Sequence, residues 1–201
     1  GMRIKELRMQ QGISQEEHVD RWLLTDLSKA LRFYQKALDY YTILNNQGLT
    51  NNDNQSNSYY NASRLLYHVY TEFVKPNCIN FQGDLTDIQY IIGSDNPILK
   101  SNLREVLQYH ESAILKLSPP GEIVIGAELP WDLVYNTCLI YNELIEEFEF
   151  DDVNYNSNSE KFTQLLYYIN KSMDLLVYLL NYQMKELLFL ETEINEQNET
   201  T

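Results

Sequence analysis

The sequence predicts an all-α protein, an antiparallel array of about seven to eight helices closed by a long C-terminal helix. Three observations predict it. Breakers are scarce, with seven Gly and five Pro in 201 residues, which favours long elements over a many-turned β-fold. Apolar residues recur at helical spacing in most of the chain. Ala30, Leu31, Tyr34, Ala37, Leu38 and Tyr41 in the stretch DLSKALRFYQKALDYY share one helix face, and the two alanines let a neighbouring helix pack closely. The whole of 2–194 is long enough to form a single domain with its own core.

Along the chain, Met2 to Gln11 reads as a short helix closed by Gly12. Ser14 and Glu17 have the spacing of a capping box for a second helix carrying Val19, Trp22, Leu23 and Leu24. Thr25 or Asp26 caps the next helix, expected to run to Leu44. The stretch 45–57, NNQGLTNNDNQSN, has no apolar period and reads as a flexible polar loop. Helix resumes from Ser58 to Val74, with Tyr59, Ala62, Leu65, Leu66, Val69, Tyr70 and Phe73 on one face, and Pro76 stops it. Asp84 to Ile92 reads as a short helix, preceded by an irregular stretch from Asn77 to Phe81.

Pro97 opens a helix expected to continue to Leu117, with Leu99, Leu103, Val106, Leu107 and Ile114 on its apolar side, before Pro119-Pro120-Gly121. Ile123, Val124 and Ile125 could form a brief extended stretch. Pro130 suits the start of a helix to Phe148, with Trp131, Val134, Cys138, Tyr141 and Ile145 inward. A second polar loop, 154–159, leads to the longest element, 159–194. Its stripe of Phe162, Leu165, Leu166, Ile169, Met173, Leu176, Val177, Leu180, Met184, Leu187 and Leu188 is joined by a second apolar side of Tyr168, Leu175, Leu179, Phe189 and Leu190. A helix apolar on two sides is buried on both or meets a second chain, so a homodimer through 159–194 is an expectation. Lys171, Asp174, Lys185 and Glu186 break any window long enough to span a membrane. The tail 195–201 is polar and expected to be disordered.

The net charge of −14 opposes binding to a phosphate backbone and suits a basic protein or peptide partner. Cys78 (Asn-Cys-Ile) and Cys138 (Thr-Cys-Leu) read as buried free thiols in a reducing compartment. Charges at Arg3, Lys5, Glu6 and Arg8 leave no apolar leader segment, so an intracellular location, cytoplasmic or nuclear, is expected.

No chemistry is demanded. His68 and Glu72 stand one helical turn apart, but two ligands at that spacing do not make a metal site, and no His-Glu-x-x-His, Cys-x-x-Cys, phosphate loop or nucleophile elbow is present. Clustered acids do not make a general acid–base pair without a pocket. A non-enzymatic protein without cofactor or metal is therefore expected. Candidate partner-binding residues fall in two groups. Tyr34, Tyr41 and Tyr59 lie on consecutive tyrosine-rich helices, and Tyr suits half-buried grooves because its ring buries while its hydroxyl needs a partner. Glu143, Glu147, Phe148, Phe150 and Asp151 form an acid-plus-aromatic run, a landing site for a basic segment.

Ala30, Tyr34, Ala37 and Leu38 also resemble the second helix of a tetratricopeptide repeat, which carries a small residue, an aromatic four later and an alanine three after that. Val106, His110 and Ala113 repeat the spacing. Thr42 stands where that family places proline, and His18 where it places Gly or Ala; no fixed period of about 34 residues runs through the chain. The resemblance implies a degenerate tetratricopeptide-like array acting as an adaptor or scaffold for a partner peptide or helix. Arg3 to Glu17, RIKELRMQQGISQEE, resembles the first two helices of a lambda-repressor-type helix-turn-helix, which implies a transcription regulator as an alternative. Trp22-Leu23-Leu24 stands where a polar recognition helix should follow. A second alternative is a structural subunit of a homo- or hetero-oligomer, assembled through the C-terminal helix.

Overall fold

A computed structural model describes residues 2–19, 21–23, 26–46, 53–75, 96–118, 129–148 and 160–199. Among them there is no strand. Six α-helices account for most of the chain: α1 (Met2–Val19), α2 (Leu27–Asn46), α3 (Asp53–Val69), α4 (Leu103–Leu117), α5 (Trp131–Glu146) and α6 (Glu160–Glu199). A π-turn, Tyr70–Val74, extends α3, and a short 3-10 helix, Pro97–Lys100, precedes α4. The expected elements at 77–81, 84–92 and 122–127 lie outside the described residues. The chain divides into two compact units, 1–117 and 118–201.

In the first unit consecutive helices pack side by side, α1 on α2, α2 on α3 and α3 on α4. Cross-helix pairs show that each neighbour runs antiparallel. His18 meets Phe33 (ring centroids 5.5 Å apart), while Gly12, earlier on α1, meets Tyr41, later on α2. Asn45 meets Ser58, whereas Tyr34 meets His68. Tyr59 lies near Lys116 and Tyr67 near His110. The six-residue face of α2 is buried in full, since α2 has α1 on one side and α3 on the other. Alanines sit at these contacts, with Ala30, Ala37, Ala62 and Ala113 fully enclosed.

The N-terminal helix differs from its sequence pattern. Gly12 does not end a helix, and the Ser14–Glu17 box does not start one; α1 runs unbroken through both. Gly12 is needed for close approach instead. A Cβ at this position would collide with the Tyr41 ring, lying 2.9 Å from Cζ. Ser14 is an interior helical residue whose carbonyl accepts from His18 Nδ1. After Val19 the chain turns through Trp22, with the Lys29 ammonium 3.1 Å from the indole centroid, a cation–π contact that ties the turn to α2. Asp26 then caps α2 as its sequence position predicts, accepting from the Lys29 N–H at 2.9 Å.

The polar stretch 45–57 is narrower as a loop than its composition predicts. Asn45 and Asn46 finish α2 and 53–57 begin α3, leaving 47–52 outside the described residues. The buried Asn45 carboxamide accepts from Ser58 Oγ at 2.5 Å, an interaction that composition does not reveal. The helix predicted from Pro97 is also in two pieces. After the 3-10 turn, Asn102 Oδ1 accepts from the Glu105 N–H (3.0 Å) and Glu105 Oε2 accepts from the Asn102 N–H (3.1 Å). This reciprocal capping box restarts the helix at Leu103. Ile98, on the 3-10 turn, is buried.

The second unit is a helical hairpin. Leu129, just before α5, bonds through its N–H to the Tyr178 hydroxyl at 3.0 Å, and Ser172 Oγ donates to Asn142 Oδ1 at 3.0 Å. Phe148, past the end of α5, meets Tyr168. The partners run in opposite order, so α5 and α6 are antiparallel. α5 buries Leu133, Val134, Thr137, Cys138, Ile140, Tyr141 and Leu144. Trp131, expected inward, is instead exposed beside Tyr135. Trp131 is the first residue of the helix. α6 continues as helix to Glu199, past the end expected at Ile194.

Replacing Gly12 by Ala adds about 1 kcal/mol of helix propensity. It also forces a methyl into a ring held from both sides, an overpacking cost of about 1–3 kcal/mol. We expect Gly12→Ala to lower the stability measured by urea denaturation; a higher midpoint would contradict the close approach.

Candidate functional site

The tyrosines of the first unit are occupied inside it. Tyr41 has no exposed surface, and its hydroxyl donates to Glu16 Oε1 at 2.5 Å. Glu16 Oε2 takes the guanidinium of Arg64 at 2.5 Å. One carboxylate thus ties α1, α2 and α3 together. Burial, reinforced by the hydrogen bond and the negative charge of Glu16, holds the Tyr41 phenol far above its ordinary range. At Arg64 burial works against the charge, but Glu16 outweighs it and the guanidinium is held more firmly protonated. Tyr34 is buried as well. Its hydroxyl shares a 3.0 Å hydrogen bond with His68 Nε2, and its ring packs edge-on against the imidazole. Tyr59 is half-buried, its hydroxyl 3.5 Å from the Asn45 carbonyl and its ring 6.0 Å from the Lys116 ammonium. Tyr34 and Tyr41 are inter-helix core, and of the three only Tyr59 offers appreciable surface.

The acidic group belongs to the second unit. Glu143 is half-buried on α5, Glu147 is exposed at its C-terminal cap, and Phe148 is half-buried against Tyr168. Phe150 and Asp151 lie outside the described residues. Among the described residues no cluster of three or more His, Cys, Asp or Glu side chains could hold a metal ion. His68 Nε2 shares a hydrogen bond with the Tyr34 hydroxyl. Cys138 is buried against the Ser172 carbonyl (3.8 Å), and burial pushes its thiol up to about 11. A thiol so far from its ionised form is a poor nucleophile.

The largest unsatisfied feature is on α6. The side that α5 covers is Leu165, Tyr168, Ser172, Leu175 and Leu179. This is mainly the narrower of the two apolar sides visible in the sequence. The broader one faces outward: Leu166, Met173, Leu176, Val177, Leu180, Met184, Leu187 and Leu188 are 42–59% exposed, and Leu190 and Ile194 beyond them are exposed too. The reason is length as well as orientation. α6 has 40 residues and α5 has 16, about 60 Å against about 24 Å at the α-helical rise. Since Leu129 already meets Tyr178, α5 has run out before the last third of α6 begins. Surface patches of this size and continuity mark interaction sites. Glu186, Glu191 and Glu193 stand among the apolar residues of that last part.

The fold and this surface define an all-helical protein with an apolar face of α6 that no described residue covers. No helix among the described residues is long and apolar enough to cross a membrane. The chain is similar to an uncharacterized protein of Saccharomyces cerevisiae, 32% identical over 179 residues that make up 86% of this chain and 29% of that protein. The chain therefore spans less than a third of the length of the curated relative it matches. No family model and no solved structure matches it.

Two predictions follow from the buried groups. Tyr41→Phe strips a buried hydrogen bond to a carboxylate and should cost about 1.5–3 kcal/mol. Arg64→Ala removes a half-exposed ion pair and should cost under about 1 kcal/mol. Chemical denaturation of both variants checks the order. Cys138 in the native chain should resist iodoacetamide at pH 8 and react once the chain is unfolded in urea, as read by mass spectrometry. Its raised thiol pKa also sets a sign. This contribution to stability is complete below the ordinary thiol pKa of about 8.5 and is lost as pH rises towards about 11.

Proposed function

We propose that this protein is a non-enzymatic interaction adaptor or scaffold whose long C-terminal helix docks a helix of a protein partner. The observation that carries the reading is the apolar side of α6 that no described residue covers. An amphipathic helix laid along such a face is a recurrent recognition mode, with anchors at helical spacing. The net charge of −14 disfavours nucleic acid. A buried free thiol at Cys138 suits an intracellular protein, cytoplasmic or nuclear.

In this reading the first unit is a degenerate tetratricopeptide-like stack that carries the assembly. Burial of Ala30, Tyr34, Ala37 and Leu38 between antiparallel neighbours supports it, as does burial of Val106, His110 and Ala113 on α4. The transcription-regulator alternative has less behind it: α1 is straight helix where a helix-turn-helix turns, and α2 is an interior layer. The structural-subunit alternative draws on the same face of α6.

The test is in-cell cross-linking with mass spectrometry on the wild-type chain and on a Leu180→Glu, Leu187→Glu double variant. Both residues are exposed, so the variant should keep its helicity by circular dichroism. A protein, this chain or another, should cross-link in stoichiometric amount to residues flanking 166–194 and vanish from the variant. An unchanged cross-link pattern would contradict docking on this face.

A further inference from the structure

Leu166, Met173, Leu180, Leu187 and Ile194 recur every seven residues, and all five are exposed. A strict seven-residue repeat is not the period of an isolated straight helix. An α-helix drifts about 20° per heptad against it, and the drift is absorbed when two helices wind around each other. The side of α6 turned to α5 ends with α5. The seven-residue spine continues for two further repeats beyond Leu180, which is the pattern of a helix meant to pair along its length.

Resting on the docking reading above, we propose that the occupant of this face is α6 of a second copy, paired antiparallel about Leu180. In that register Leu180 meets its own equivalent, Met173 meets Leu187, and Leu166 meets Ile194. Area supports a second copy. The spine and its flanking apolar rows, each side chain about half exposed, leave on the order of 900 Å² per chain, comparable to the roughly 800 Å² per partner of a stable interface.

Charge selects the direction. Residues 160–179 contain Glu160, Lys161, Lys171 and Asp174, a balance of zero. Residues 180–195 contain Lys185 against Glu186, Glu191 and Glu193, a balance of −2. A parallel pair sets the two acidic halves side by side at an axis separation of about 8–10 Å, within a Debye length. It also brings Glu186 of one copy beside Glu191 of the other, the flanking positions whose charges decide orientation in coiled coils. The antiparallel pair places each acidic half against a neutral one. It also lets each copy's apolar surface beyond the end of α5 lie on the other copy's α6.

The experiment uses the full chain, purified alone. Sedimentation equilibrium at about 50 µM should give twice the monomer mass, and Leu180→Glu, which buries a charge against its own equivalent, should weaken association at least about 100-fold. Orientation is read from a mixture of Leu166→Cys and Ile194→Cys chains treated with a short bis-maleimide. The expected product joins position 166 of one copy to position 194 of the other, with little linkage in either variant alone. Self-linkage of Leu166→Cys alone would overturn the antiparallel arrangement. A monomeric mass for the wild-type chain would overturn the second copy as occupant. If the in-cell cross-links to 166–194 then persist with a different protein, the docking reading survives and only this inference fails.

Discussion

An apolar helix face has to be covered, and that constraint orders both units of the chain. The first unit meets it internally: α2 presents a face of alanine, leucine and tyrosine, and α1 and α3 close on it from two sides. Closure is tight enough that one backbone position tolerates no side chain at all, and Gly12 supplies it against the ring of Tyr41. The Tyr41 hydroxyl then needs an acceptor, Glu16 provides it, and the remaining oxygen of Glu16 takes Arg64. Packing and polar satisfaction at this point are one device. The buried ring brings its hydroxyl in with it, and a buried hydroxyl without a partner is costly.

The second unit meets the same constraint only in part. α5 satisfies one side of α6 over the length it has, with Cys138, Asn142 and Leu129 matched to Ser172 and Tyr178. The rest of α6 is a helix that packing among the described residues does not account for. A helix stable alone in water would carry a polar exterior; this one carries leucine and methionine at regular spacing, with glutamates among them. The functional reading rests on that mismatch between what α6 is and what α5 can cover. The groups with chemical potential point elsewhere: Cys138 is buried and pushed away from its thiolate, and His68 is held by Tyr34.

Much of this was legible in the residues. The face of α2, its Asp26 cap and the two-sided character of α6 all follow from spacing and residue type. What was not legible has physical reasons. A glycine between two helical patterns fits either a left-handed cap or a close approach, and only the position of Tyr41 distinguishes them. The Asn102–Glu105 box was written in the sequence, yet an apolar period running through it conceals the break. The side of α6 that faces α5 carries a small polar residue, Ser172, bonded to Asn142, whereas the broader leucine-rich side is the better core on composition alone. Of the proposed contact residues, Tyr34 and Tyr41 turned inward because rings with hydroxyls serve inter-helix cores as well as grooves, and Phe150 and Asp151 lie outside the described residues.

Amide hydrogen exchange along α6 tests the account most directly. If the apolar face is covered in solution, amides from about 180 to 195 should be strongly protected at high protein concentration, and Leu180→Glu should abolish that protection while leaving 165–179, under α5, intact. Exchange across 180–195 at the rate of a solitary fraying helix, the same in wild type and variant, would contradict it.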